Sequence, residues 1–127
     1  MDFPGGRSPL LRKMNSDAHK QSMEVRAARL HAENRRRADL FNRPVMADSV
    51  MDIMLTALIA HEQGTSLTRT AAAMANHLAR AAAEPIIADL VAARLLTNGD
   101  GAERIVLTQL GVDLMREFVD WKHRHLG

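Results

Sequence analysis

The sequence contains no cysteine. Structural disulfides, thiolate metal centres and thiol-based redox sensing are therefore excluded. Aromatic residues make up only 3% with no tyrosine, and alanine and leucine dominate, which favours helix over sheet. No apolar run approaches the roughly 18 uninterrupted residues that a membrane span requires, so no membrane association is expected. The opening "MDFPGGRSPLLRK" lacks the basic start and long apolar centre of a secretory signal. A cytoplasmic protein is the expectation.

Catalytic signatures are missing as well. There is no phosphate-binding loop, nucleophile elbow, paired-carboxylate pattern or nucleotide fingerprint, and Gly5-Gly6 is too isolated to serve as one. His123 and His125 stand two apart on a helix and point to different sides, unlike a zinc pair at i, i+4. Met51, Met54 and Met115 sit on apolar helix faces and read as packing. Neither an enzyme nor a bound metal or cofactor is expected.

What is present is enough chain, 127 residues, for one domain with a real core. The net charge of +2 is unevenly spread. Residues 1–43 hold ten Lys/Arg against five Asp/Glu, whereas residues 44–127 hold seven against ten. The basic character lies in Arg7, Arg12, Lys13 and the run Arg35-Arg36-Arg37, an asymmetry that hints at a polyanionic partner.

Pro4, Gly5, Gly6, Ser8 and Pro9 mark residues 1–15 as a flexible basic arm. A helix is predicted over 16–43, capped by Ser16 or Asp17. Its apolar stripe of Met23, Ala27, Leu30, Leu40 and Phe41 is thin, so it should lean on a partner. Asp48 or Ser49 opens a second helix in which Val50, Met51, Met54, Leu55, Leu58 and Ile59 recur at three- and four-residue spacings, and Gly64 ends it. Thr65 or Ser66 is expected to cap a short helix over "LTRTAAAMANH". "RAAAEPIIADLVAARLL" follows, with Ile86, Ile87, Leu90, Val91 and Leu95 on its apolar face. Pro85 predicts a late start or an irregularity at 82–84. The cluster Asn98-Gly99-Asp100-Gly101 and the run Ile105-Val106-Leu107 predict a hairpin with strands near 95–97 and 104–107. Thr108 caps a last helix carrying Leu110, Leu114, Met115, Phe118, Val119 and Trp121. The fold class is mainly α with one small β-hairpin, a helix-turn-helix made winged by the hairpin.

Two segments carry a family resemblance. "IIADLVAARLL" (86–96) resembles the end of a recognition helix turning into its wing. "RIVLTQLGVDLM" (104–115), with Leu107-Thr108, Gly111 and Leu114, resembles the strand and helix that follow. Together they are similar to the winged helix-turn-helix of MarR-type bacterial transcriptional regulators. The resemblance implies a homodimer on double-stranded operator DNA, with the recognition helix in the major groove and the wing on the backbone. It further implies a winged domain at 46–108 between dimerisation helices at 16–43 and 109–127. The chain departs from the family pattern at Arg94, where glycine is usual, and at its acidic wing tip, Asp100-Gly101-Ala102-Glu103. The recognition helix opens on Arg80 and then Ala81-Ala82-Ala83-Glu84-Pro85, and residues 64–107 carry four basic and four acidic residues.

The expected DNA-reading residues are Arg80 and Glu84 at base edges, against the plainer reading of a solvated helix face. Thr68, Arg69, Thr70 and His77 are placed for phosphates. Arg104 is placed for a phosphate or the minor groove, with Asp100 or Glu103 as rival partners. Arg7, Arg12, Lys13, Arg35, Arg36 and Arg37 are candidate backbone contacts from arm and helix, their alternative being plain solvation. A second functional reading is an interaction module with reduced or no DNA binding, favoured by the triple alanine. Regulators of the resembled family often respond to small aromatic ligands. Here a pocket for one would be bounded by Met51, Leu55, Met115, Phe118 and Trp121, with well-packed core as the competing reading.

Overall fold

A computed structural model describes residues 23–36 and 48–126. The arm with Arg7, Arg12 and Lys13, the expected caps Ser16 and Asp17, and Arg37, Leu40 and Phe41 lie outside the described residues. In chain order the elements are α1 (23–36), α2 (Ser49–Gln63), β1 (Leu67–Thr68), α3 (Arg69–Ala75), α4 (Arg80–Ala92), β2 (Leu96–Asn98), β3 (Arg104–Leu107) and α5 (Gln109–Leu126).

The central helix is α2. Asp48 caps it by accepting the Met51 N–H at 3.1 Å, and Gly64 ends it with φ +75°. Every residue from Asp52 to Leu58 is buried, because α2 is enclosed by neighbours on nearly all sides rather than lying on a surface. Met23 and Ala27 of α1, Ile87 of α4, Leu96 and Ile105 of the sheet, and Val112, Met115 and Val119 of α5 complete one core around it.

Two charged pairs bind the outer helices to that centre. Glu62 of α2, its side chain only 2% exposed, accepts Arg116 Nε and Nη2 of α5 at 2.8 and 3.2 Å. The wholly buried Asp52 accepts Asn34 Nδ2 at 2.9 Å and faces Arg35 Nη1 at 3.7 Å, both from α1. Arg26 of α1 also reaches Asp120 of α5 at 2.8 Å.

The wing is larger than the hairpin alone. Leu67 and Thr68 are extended and pair with Ile105 and Arg104, giving a three-stranded antiparallel sheet in the order β1-β3-β2. The short helix therefore starts at Arg69, and its cap is Thr68, whose hydroxyl accepts the Ala71 N–H at 3.0 Å. Thr65 and Ser66 precede the strand instead of capping the helix. The second departure from expectation is at Pro85: α4 is continuous from Arg80 to Ala92 with the proline inside it. Pro85 and Ala81, whose carbonyl it leaves without an i+4 donor, are both exposed, so water can satisfy the freed oxygen.

The end of α4 is a Schellman turn. Leu95 N–H bonds the Leu90 carbonyl, Arg94 N–H bonds that of Val91, and Arg94 itself is left-handed with φ +62°. That backbone conformation explains why glycine suits this position. Immediately beyond, Leu95 O accepts the Thr108 N–H at 3.0 Å, and the Thr108 hydroxyl caps α5 through Gly111 N–H. A Cβ built on Gly111 would lie 2.3 Å from Leu95 O.

Two substitutions test this corner in opposite directions. Gly111→Ala forces the α5 start off Leu95 and should destabilise by about 1–3 kcal/mol. Arg94→Gly relieves a left-handed arginine and should stabilise by up to about 1 kcal/mol after the entropy of glycine is set against it. Denaturant unfolding of both variants checks the pair. Equal stability of all three proteins would contradict the described turn.

Candidate nucleic-acid interface

The α3–α4 pair is a helix-turn-helix whose turn, Asn76 to Ala79, is short and packs Leu78 against the core. Asn76 is buried and its Nδ2 donates to Ala72 O at 2.8 Å, while its Oδ1 pairs with His31 Nε2 of α1 at 2.6 Å. His77 follows in left-handed conformation, φ +54°, and is exposed. Burial of Ala83, Ile87 and Leu90 sets the rotation of α4, so its outer face consists of Ala81, Ala82, Pro85, Ala88, Asp89 and Ala92.

Four of the sequence-predicted residues, Arg69, Thr70, Arg80 and Glu84, come together at the mouth of this motif and bind one another. Arg69, at the start of α3, spreads its guanidinium over three elements. Nε donates to Ala102 O of the wing tip at 2.8 Å, Nη1 to Glu84 Oε2 of α4 at 3.0 Å, and Nη2 to Asn98 Oδ1 of β2 at 2.7 Å. Its side chain is 15% exposed, so it is largely withdrawn from solvent. Arg80 repeats the pattern one turn further out. Its Nε donates to Glu84 Oε1, its Nη1 to Thr70 Oγ1, and its Nη2 contacts Glu103 Oε2 at 2.7 Å. Glu103 Oε1 in turn accepts both the backbone N–H and the hydroxyl of Thr70.

The result is an ionic latch that joins α3, α4 and the wing tip. Glu84 on α4 and Glu103 on the wing hold the two arginines that a helix-turn-helix would offer to DNA. Arg104 is engaged as well, donating to Ser66 Oγ at 2.6 Å across the sheet rather than pairing with Asp100 or Glu103. Thr68 spends its hydroxyl on the α3 cap. Of the arginine run, Arg35 turns inward to Asp52 while Arg36 is exposed.

Glu103, Asn98 and Ser66 were not among the expected site residues. The Arg80–Glu84 pair is legible from its i, i+4 spacing, but the wing-tip partners depend on how the hairpin folds back.

Proton affinities follow the latch. The Glu84 hydrogen bond raises Arg80 above the ordinary guanidinium value against partial desolvation, helped by Glu103. For Glu103, desolvation pushes its carboxyl up, but the two Thr70 hydrogen bonds and Arg80 outweigh it and hold the group below the usual glutamate value. Because the folded-state value is depressed, the latch is intact above the unfolded value and opens as pH falls through the folded one. In an NMR titration the Thr70 amide should therefore shift with a midpoint below that of a solvated glutamate. A midpoint at or above it would contradict the contact.

The five residues Met51, Leu55, Met115, Phe118 and Trp121 divide between core and surface. Leu55 and Met115 are buried in the core and Trp121 stands outside it. A cavity of about 150 Å³ lies instead between α1 and α5, lined by Arg26, Arg29, Leu30, Glu33, Val119, Lys122 and His123.

No helix among the described residues is long and apolar enough to cross a membrane. A scan against protein-family models gives no match, and neither does a search of curated proteins. Among solved structures the chain is similar to MepR, a transcription regulator of the Staphylococcus aureus multidrug efflux pump MepA. The identity is 18%, covering 95% of this chain and 82% of that one, with a TM-score of 0.51. A mutant of the same regulator is similar over the same shares at 19% identity, with a TM-score of 0.49. At this identity the likeness speaks for architecture alone, and the architecture is a winged helix.

Proposed function

We propose that the chain is a sequence-specific transcriptional regulator that binds double-stranded DNA as a homodimer. The observation that carries this reading is a helix-turn-helix with the wing tip fastened beside the first turn of α4, so that helix and wing present one continuous surface. In this reading α4 enters the major groove and the wing lies along the adjacent backbone, with half-sites about one helical turn apart. Arg36 and the basic arm, with Arg7, Arg12, Lys13 and Arg37, supply phosphate contacts that the neutral motif does not.

The dimer is supported by an unburied apolar stripe on α5. Leu110, Leu114 and Trp121 recur at spacings of four and seven residues, each about half exposed, and Val25 of α1 is exposed likewise. Such a stripe on a terminal helix is what an isologous contact would cover.

A second reading is a protein-interaction module on the same fold. The alanines of α4 and the 70% exposed Met74 of α3 favour it, because they form an apolar surface where cations would be expected.

Three measurements test the proposal. Leu114→Glu should convert a dimer to a monomer in sedimentation velocity and weaken DNA binding by about a hundredfold or more, since two half-sites no longer act together. A monomeric parent protein would defeat the homodimer. Glu103→Gln should strengthen binding by up to about fivefold at low salt, because it removes a carboxylate that competes with phosphate for Arg80. If the parent protein captures no duplex from a genomic library even at low salt, the regulator reading fails.

A further inference from the structure

The outer face of α4 is unusual in what it cannot do. A recognition helix reads guanine and adenine with side chains that donate hydrogen bonds, chiefly arginine, lysine, asparagine and glutamine. Ala81, Ala82, Pro85, Ala88 and Ala92 donate nothing, and Asp89 can only accept. The arginine nearest this face, Arg80, is engaged by Glu84, Thr70 and Glu103 on the wing side. Thus the surface α4 offers a groove is a row of methyl and methylene groups with one carboxylate among them. The geometry is regular. Ala81, Pro85, Ala88 and Ala92 follow one another at four, three and four residues along one side of the helix, rising about 1.5 Å per residue. Residues 81 to 88 then run about 10 Å, close to three base-pair steps of 3.4 Å.

Among the major-groove edges thymine alone presents an apolar group, its C5 methyl, and the cytosine N4 amino group is a donor that suits a carboxylate. Resting on the DNA-binding reading above, we propose that this face selects its site through thymine methyl groups, with Asp89 accepting from the N4 amino group of a cytosine. Guanine is not read by α4. Selectivity then comes from excluding water between methyl groups, and the acidic Asp89 rejects any base that would set an acceptor against it.

The test uses the full chain and needs no variant at first. Duplexes are selected from a random pool, and each thymine of the enriched site is replaced in turn by deoxyuridine, which removes one methyl and leaves every hydrogen-bonding group unchanged. Affinity should fall roughly fourfold for each contacted methyl removed. It should not change at thymines outside the half-site centres. Asp89→Asn should then lose the preference for cytosine at one position while keeping the methyl dependence. An enriched site that binds equally well with deoxyuridine throughout overturns the methyl reading and leaves the regulator standing. Failure to enrich any sequence overturns the regulator reading itself, and this inference with it.

Discussion

Three elements meet at one backbone oxygen, the carbonyl of Leu95. The N–H of the same residue closes the turn out of α4 on Leu90 O, while the oxygen accepts the Thr108 N–H and hydroxyl and lies so near the α5 start that only a glycine fits at 111. The direction of the wing and of the C-terminal helix are both set there. Were α5 to back away by the width of a methyl, the Thr108 bonds would lengthen and the β2–β3 ladder would lose its anchor. Shape at the far end of the chain is therefore tied to the last turn of α4 by close backbone contact, which does not yield gradually.

Most of this frame was legible in the residues. The apolar periodicities of α2 and α5, the Asn98 to Gly101 turn and the Thr108 cap are local signals that fall where they were expected, whereas α4 runs unbroken through Pro85. The third strand was not legible, because two residues show no period. Thr65, Ser66 and Thr68 compete as caps on equal chemical terms, and only pairing with β3, more than thirty residues away, settles that Thr68 is the cap. Arg35 shows a related difficulty. The stripe of α1 continues inward through His31 and Asn34 to Arg35, but those residues are polar and their partners, Asn76 and Asp52, lie on later helices. A polar side chain reads as surface until its buried partner is known.

The candidate site divides along the same line. Residue types and their neighbourhood were visible, and the structure brings Arg69, Thr70, Arg80 and Glu84 together. Their orientation was not, since an arginine near a groove is equally served by a phosphate or a carboxylate. Glu103 decides the matter in the unbound chain. Of the acidic wing tip, which stands out as a departure from the resembled family, Glu103 is the residue that ties the wing to α3 and α4.

Asp52 gives α1 a role that packing area alone would not suggest. Its carboxylate is fully buried, and the cation facing it belongs to α1 rather than to the winged part of the chain. Removing α1 would strip the acid in the first turn of the central helix of both its partners, Asn34 and Arg35, along with the apolar contacts of Met23 and Ala27. Residues 48–126 are thus not a detachable module to which a helix has been added. Asp52, Asn76 and Asp120 each find a partner on α1, and any recombination of this winged part with another leader segment would have to supply partners for all three.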